Sequence, residues 1–512
     1  MGSDWSTYPD TEPLRDRLAN LFNLDPENLL ITAGSDQRIE SVMRSVNGPV
    51  LVLDPDFSRY AEHAENALIP LLKVELAVRG DSFPEAEIIA AASDARLAMF
   101  STVGNPTGYT IPDDFLVTLR RLHPDLVICL DDCYGAFLGK TCHEWAVHTP
   151  NTVMLGSFSK IGFPGLRVGF AIGAPELVER MRKFVSPFAV AGPSLAAAER
   201  LIGRPDFVRL IEANVERQQQ ARDFLSSELT RQNFEIARPT GNWILARLGD
   251  GAKRLAEELG RRNVLVHASS HPRLRQWLRI STPNLQAVQQ FVVTFGDILE
   301  SAVILRDGLF RFNIDHLNPR RWNEASFVVR IGTEVLGVDH VAIVLGSAAA
   351  YEELVADLVS HGGVILEGPG IWPDDFCEHL EHVSPDLSMR FATVKLESGG
   401  LLVISAPVAA GDQLDRWRAA RGGDAVHHVA IHTDSLTSLA ETLTAQGWKP
   451  MSEEPVSDGV LEQWFLRNEE GQILELIARS SEGSATFSCT NIGKRRRIEV
   501  RRSAADSAHE PA

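Results

Sequence analysis

The chain has 512 residues, of which 44% are hydrophobic and 23% charged, and a formal net charge of −18. This is an ordinary soluble composition, too long for one core, so two or three domains are expected. The acidic balance argues against nucleic acid as a general partner, and no run of about eighteen apolar residues exists to span a membrane. The start, Met1–Pro13, is polar and acidic, unlike a signal or transit peptide. The five cysteines are scattered without metal-ligand spacing, which suits a reducing cytoplasm better than a disulfide framework. The one basic run, Lys494–Arg502, reads as a solvated face.

From Leu14 to about Glu300, helical stretches alternate with short apolar runs, among them Val50–Leu53, Leu97–Phe100, Leu126–Leu130 and Thr152–Leu155. Each run ends in turn residues or a polar cluster. Buried parallel strands joined by helices read this way, so an α/β domain is expected over residues 1–300. Residues 301–335 lack a clear period and contain Asn318-Pro319-Arg320-Arg321; they are expected to be a linker. Beyond about Thr333 two segments resemble each other, Val338-Asp339-His340-Val341-Ala342-Ile343 and Val426-His427-His428-Val429-Ala430-Ile431. Each opens a strand and is followed by an amphipathic helix and further strands, which is an internal duplication. A second, α+β domain is expected over 336–502, with a disordered tail over 503–512.

Lys160 lies in Gly156-Ser157-Phe158-Ser159-Lys160, followed by Pro164-Gly165-Leu166-Arg167. A lysine that forms a Schiff base must be held beside a phosphate cradle, and Ser157, Ser159 and Arg167 offer hydroxyls and a fixed cation for one. Alone, such a Ser-Lys pair is more often surface decoration. Asp131 ends an apolar strand and Tyr134 follows three residues on; a carboxylate there can keep a pyridine nitrogen protonated, though it also reads as a strand-end turn residue. Asn105-Pro106-Thr107-Gly108 ends another strand, or is a plain turn. Gly34-Ser35-Asp36 precedes a helix, where backbone amides and a hydroxyl make an anion site.

Together these residues resemble the fold-type-I aminotransferases, above all the histidinol-phosphate aminotransferase group, over about residues 5–300. The resemblance implies a pyridoxal-phosphate-dependent transferase fold, a mostly parallel sheet followed by a small α/β subdomain. It implies that Lys160 carries pyridoxal 5'-phosphate, that Asp131 pairs with the ring nitrogen, and that Asn105 and Tyr134 contact the ring hydroxyl. Ser35, Asp36, Ser157, Ser159 and Arg167 would hold the phosphate, Phe57 would stack on the ring, and Arg279 in Leu278-Arg279-Ile280-Ser281 would clamp the substrate carboxylate. Tyr8 in Tyr8-Pro9-Asp10 matches a tyrosine that reaches the neighbouring subunit's phosphate, which implies a homodimer. The family has a longer segment ahead of this tyrosine, so a role in histidine biosynthesis is not expected.

In the second region the duplication places His340 and His428 at equivalent positions, and Glu475 lies inside the apolar strand Ile473-Leu474-Glu475-Leu476-Ile477. A lone strand histidine is usually structural, but a carboxylate in an apolar strand needs a partner. Two imidazoles and one carboxylate on one face make a facial triad for Fe(II). From Val338 to about Arg502 the sequence resembles the catalytic half of 4-hydroxyphenylpyruvate dioxygenase, in the vicinal-oxygen-chelate superfamily of paired βαβββ units. The resemblance runs through Ile404-Ser405-Ala406-Pro407, Gln413, Gly422–Asp434, Gln463-Trp464-Phe465 and Leu474–Ile477. It implies iron at His340, His428 and Glu475, and a pocket lined by Gln413, Gln463, Phe465, Phe487 and Asn491. Ser405, His427 and Ile492 depart from the family's Asn, Gln and Phe, so a substrate other than 4-hydroxyphenylpyruvate is expected. His427 is expected to point to the strand face opposite His428.

The two resemblances imply one cytoplasmic, bifunctional enzyme. Its first domain would convert an amino acid to a 2-oxo acid, and its second would use molecular oxygen and Fe(II) to oxidise and decarboxylate that acid. The alternatives for the second domain are a metal-dependent isomerase or lyase, or a non-catalytic small-molecule binding module.

Overall fold

The computed structural model describes residues 7–80, 82–302, 318–377, 385–457 and 461–479. The chain divides into two compact units: Met1–Arg247 with Ser269–Val292, and Leu248–Ala268 with Val293–Ala512.

The first unit is built on a seven-stranded sheet of β1 (Leu29–Thr32), β2 (Val50–Asp54), β3 (Leu71–Glu75), β4 (Leu97–Ser101), β5 (Val127–Asp131), β6 (Thr152–Ser157) and β7 (Gly169–Gly173). Its spatial order is β1-β7-β6-β5-β4-β2-β3. The strands from β2 to β6 pair in parallel, whereas β7 runs antiparallel to both β6 and β1. Strands β4 to β7 are buried along their whole length, as a sheet with both faces covered requires. Two apolar layers flank it, one centred on Ile39, Val42, Met43, Met99 and Leu155, the other on Leu53, Phe100, Phe115, Leu119 and Leu130. A small antiparallel sheet follows, in which β9 (Trp243–Arg247) pairs with both β8 (Glu235–Ile236) and β11 (Trp277–Ser281); β10 (His267–Ala268) belongs to the second unit.

In the second unit β12 (Val328–Ile331), β13 (Glu334–Val344), β14 (Val364–Trp372), β15 (Met389–Lys395), β16 (Leu401–Pro407), β17 (Ala425–His432), β18 (Lys449–Pro450), β19 (Val456–Ser457), β20 (Leu461–Arg467) and β21 (Ile473–Arg479) form one sheet. The duplication read from the sequence is explicit in the pairing. β13 is followed by the helix Ala348–Ser360 and pairs in parallel with β16, with β15 and β14 added antiparallel. β17 is followed by the helix Leu436–Thr444 and pairs in parallel with β21, with β20 added antiparallel. The repeats are joined by the antiparallel pair β13·β17.

Three expectations are corrected. The stretch assigned to a linker is built over part of its length: a helix spans Pro319–Glu324 and β12 follows, because Trp322 and Phe327 are buried in the core of this unit. The first unit closes near Val292, and residues 248–268 join the second. Cys129, Cys133 and Cys142 are free thiols, but Cys377 is disulfide-bonded, so the cysteines are not all thiols. Phe487, Asn491, Ile492, the basic run and the tail lie outside the described residues. Among the described residues no helix is long and apolar enough to cross a membrane.

Glu258, fully buried on the helix Ala252–Arg261, ties this second unit together. It pairs with Arg254, Arg261 and Arg262 and accepts from the Phe327 N–H at 3.2 Å. Glu258→Ala leaves three guanidiniums around an empty site and is expected to cost about 3 kcal/mol. Urea unfolding of the full chain measures this; an unchanged midpoint refutes it.

Candidate active site and candidate metal centre

In the first unit the register lines up the ends of neighbouring strands. Ser101 lies opposite Asp131, Asp131 opposite Leu155, and Ser157 opposite Gly169. The carboxyl ends of β4, β5 and β6 therefore meet at one edge, the usual place for a site in a parallel sheet. Asp131 is buried; its Oδ2 is 3.1 Å from the Tyr60 hydroxyl, and its Oδ1 accepts from the Cys133 N–H at 3.3 Å. Tyr60 Oη is also 3.0 Å from Ser101 Oγ, which is 3.1 Å from Asp56 Oδ1. Asp56 accepts from Tyr109 Oη at 2.7 Å and from the Asn105 N–H at 3.1 Å. A buried polar chain thus runs from Asp131 to the Asn105 turn.

Lys160 Nζ lies 5.5 Å from the centroid of the Tyr134 ring. Tyr134 stands edge-on to Trp243 at 4.8 Å, and Trp243 Nε1 donates to the Pro106 carbonyl at 2.8 Å. The Arg279 guanidinium lies over that indole, 4.8 Å from its ring centroid. Burial pulls the Arg279 guanidinium below its ordinary value, and the neighbouring Tyr134 opposes this. Arg279 Nε is buried and lacks a hydrogen-bond partner. Gly34, at φ +73°, opens the helix Gly34–Val46; a Cβ there would stand 2.7 Å from an Arg167 guanidinium nitrogen. Glycine leaves a cradle between the helix start and that cation, with Ser35 next in the chain. Ser157 Oγ accepts from the Ser159 N–H at 3.0 Å.

The structure so gathers Asn105, Asp131, Tyr134, Lys160 and Arg279, with Gly34 and Arg167 forming the cradle. Phe57 packs edge-on to Tyr60 at 5.5 Å. Two expected residues behave differently. The Asp36 carboxylate pairs with Arg59 at 2.9 Å and His63 at 3.1 Å, so only its backbone N–H is left to face an anion. Burial alone would raise its pKa, but His63 and Arg59 outweigh that and lower it. Tyr8 is 79% exposed and stacks on Phe188 at 4.6 Å.

The second cluster lies on β13, β17 and β21. Across these strands His340 pairs with Ala430, and Ala430 with Glu475. His428 stands two residues before Ala430, on the same face. The small, fully buried Ala430 leaves room between them. His340 Nε2 and His428 Nε2 are 3.1 Å apart, and Glu475 Oε2 is 3.2 Å from the first and 2.9 Å from the second. All three residues are buried, and Glu475 Oε2 meets hydrogen-bond geometry with neither imidazole. Separations of this size match one face of an octahedron with bonds of about 2.1 Å. Burial opposes ionisation of Glu475, but the two histidines outweigh it and lower its pKa.

The sequence reading missed what orients these imidazoles. The β13·β17 register shifts twice, so that Asp339 and His427 are each an extra residue in their strand. Such a bulge re-aims a side chain that strict alternation would send to the opposite face. Asp339 Oδ1 is 2.9 Å from His340 Nδ1, and His427 Nδ1 is 2.8 Å from His428 Nδ1. The expectation that His427 faces away from His428 is corrected accordingly. Arg479, four residues beyond Glu475 on the same strand face, makes two hydrogen bonds to Asp339, of 3.1 and 3.0 Å. Burial would raise the Asp339 pKa, yet His340 and Arg479 bring it down to about 2. Phe465, opposite Glu475 in β20, lies 5.7 Å from the His428 ring, and Gln463 shares its face. Gln413 is buried at the start of the helix Gln413–Ala419. A cavity of about 250 Å³ opens beside His428, lined by Arg421, Val426, His427, Gln472 and Ile473 among others.

The comparisons with known proteins concern the first unit. The family model of class I and II aminotransferases matches residues 1–292, and the chain belongs to that family. It is 28% identical over 250 residues to a histidinol-phosphate aminotransferase of Rhodospirillum rubrum, covering 47% of this chain and 67% of that protein. It is 30% identical over 303 residues to the Aquifex aeolicus enzyme of the same name, covering 57% and 84%. Solved structures share the fold. The Clostridium acetobutylicum histidinol-phosphate aminotransferase has a TM-score of 0.53 at 17% identity, over 57% of this chain and 90% of that one. That of Sinorhizobium meliloti, in complex with pyridoxal-5'-phosphate, has a TM-score of 0.52 at 19% identity, over 58% and 85%.

Two outcomes are expected from this geometry. Burial holds the Asp56 carboxyl up at about 6, although Tyr109, Asn105 and Ser101 pull the other way. The folded state then keeps a proton that the unfolded chain has lost, so stability falls as pH rises from about 4 through about 6. Asp56→Asn should remove about 2 kcal/mol of that decline between pH 4.5 and 7, measured by urea unfolding at those two values; an unaltered pH dependence refutes the assignment. In the second unit, Asp339→Asn and His427→Leu should each weaken divalent-metal binding by about 10–100-fold. His427→Gln keeps an acceptor for His428 and should retain affinity. Co(II) titration followed by absorbance decides, and equal affinities throughout refute the outer-partner roles.

Proposed function

We propose that this aminotransferase is a bifunctional enzyme that converts an amino acid to a 2-oxo acid in its first unit and oxidatively decarboxylates that acid with Fe(II) and oxygen in its second. The first half of the reading rests on family membership and on the convergence of Lys160, Asp131, Tyr134 and Arg279. The residues fit pyridoxal 5'-phosphate where Gly34 opens its helix against the Arg167 guanidinium, since a helix start and a fixed cation suit a phosphate. Lys160 would hold the cofactor covalently, Arg167, Ser35, Ser157 and Ser159 its phosphate, and Asp131 its ring nitrogen. Phe57 would flank the ring, and Asn105 and Tyr134 would orient the ring hydroxyl. When bound, the cofactor supplies the electron-withdrawing ring and carbonyl that transamination needs. Lys160 Nζ would hold and move the proton at the substrate's α-carbon, and Arg279 would bind the substrate carboxylate. Tyr8 would reach the phosphate of a second copy, which makes a homodimer the working assembly.

The second half is carried by one observation: three ligand atoms within 3.2 Å of one another on a buried strand face. The paired β-α-β-β-β units and the residue match to the vicinal-oxygen-chelate family support it. Two neutral imidazoles and one carboxylate fit Fe(II), and Glu475 Oε2, which both imidazoles face, is the oxygen that would coordinate it. Fe(II) held by these three residues would supply Lewis-acid and oxygen chemistry to a chelating 2-oxo acid. Gln413, Gln463 and Phe465 would shape the space around that acid.

The two activities should separate cleanly. Lys160→Ala is expected to lose the cofactor absorbance and reduce transamination by on the order of 10²–10⁴-fold or more, while keeping oxygen uptake when a 2-oxo acid is supplied. Glu475→Ala should lose stoichiometric Fe(II) and oxygen uptake but keep transamination. Wild-type protein that holds Fe(II) yet consumes no oxygen with any 2-oxo acid would point to an isomerase or lyase. Failure to retain metal after anaerobic loading would leave a binding module.

A further inference from the structure

Arg38 lies on the helix Gly34–Val46, on the face that carries Ile39, Val42 and Met43 into the core, and it is fully buried. Its Nη1 donates to the Gly156 carbonyl in β6. Its Nη2 lies 2.6 Å from Cys133 Sγ and 3.5 Å from Asp131 Oδ1, and its Nε has no partner. Gly169 makes room for it: a Cβ there would stand 3.1 Å from Nη1.

A guanidinium stays charged in a protein, and burying one costs several kcal/mol unless it is compensated. An apolar side chain would fill the same space without that penalty. Among the described residues, Asp131 is the carboxylate paired with Arg38. The 3.5 Å separation is at the long limit of a hydrogen bond, so Arg38 neutralises Asp131 without saturating it. Room remains for a second positive group at the same carboxylate.

We propose that Arg38 is a counter-cation built under the cofactor site. It compensates Asp131 in the cofactor-free protein and shares that carboxylate with the ring nitrogen once the cofactor is bound. The inference rests on the pyridoxal-phosphate reading of this site. Arg38 thereby stabilises the empty site and loosens the hold on the cofactor, whereas a residue that only packs the helix would do neither selectively.

The test is thermal unfolding of wild type and Arg38→Met, with and without pyridoxal 5'-phosphate, together with titration of the cofactor. The empty variant should lose on the order of 5–10 °C in Tm. The cofactor should restore roughly half of that loss, in step with a rise of roughly tenfold in its affinity. An equal loss with and without cofactor, or no loss, overturns the proposal. If Arg38→Met does not fold, the double variant Arg38→Met/Asp131→Asn, which removes both charges, should fold; its failure to do so also overturns the proposal. Wild-type protein that binds no pyridoxal 5'-phosphate is a distinct result, which sinks the cofactor reading and this inference with it.

Discussion

Asp131 ends a strand that is buried along its whole length, and its carboxylate must be compensated where it stands. An isolated buried carboxylate is prohibitively costly, so the surroundings have to supply donors and cations. Here they come from three directions: Tyr60, the Cys133 N–H and the Arg38 guanidinium. Tyr60 then passes the constraint through Ser101 to Asp56 and the Asn105 turn. The second unit obeys the same rule. Glu475 is buried in an apolar strand, and the imidazoles of His340 and His428 are drawn to it. In each unit the position of one carboxylate fixes which side chains can stand near it.

Much of this was legible in the sequence because the first unit's chemistry sits at strand ends. Asp131, Ser157 and the Asn105 turn each close an apolar run, and parallel strands bring their ends to one edge whatever the loops between them do. The partners of Asp131 were not legible for the opposite reason. Tyr60 and Arg38 arrive from helices far away in the chain, and nothing local announces the contact. One signal was present for Arg38: an arginine in line with Ile39, Val42 and Met43 on an otherwise apolar helix face. The stretch before β13 was misread because its pieces are short. A six-residue helix and a four-residue strand cannot display a period, although Trp322 and Phe327 marked them as core.

Strict alternation along a strand explains both a success and an error in the second unit. It places His428, Ala430 and the flanking His340 and Glu475 on one face, so the triad could be anticipated from spacing. It also assigns His427 to the other face, and there it fails. The extra residue at each bulge breaks the period beside each histidine of the cluster. Equivalent positions of the two repeats use the same device, in which the residue before the histidine turns back to engage its Nδ1. That engagement leaves each Nε2 directed at Glu475. Single-sequence periodicity carries no mark of a bulge, so Asp339 and Arg479 escaped notice as well.

On the proposed reading, the two sites recognise the same end of the molecule by different physics. Arg279 binds a carboxylate as a guanidinium, and the triad leaves a face on which that carboxylate and its neighbouring keto oxygen can chelate. Neither interaction distinguishes one side chain from another. Selectivity must then come from the surfaces beyond that common end. In the first unit these are the aromatic faces of Phe57, Tyr134 and Trp243. In the second they are Phe465 and the walls about His428, where Trp417 lies 4.6 Å from the His427 ring. Aromatic walls in both places offer flat apolar surface on which an aromatic or bulky apolar side chain can pack. On that same reading a side chain accepted in one unit would be accepted in kind in the other, since transamination alters the molecule only at its α-carbon.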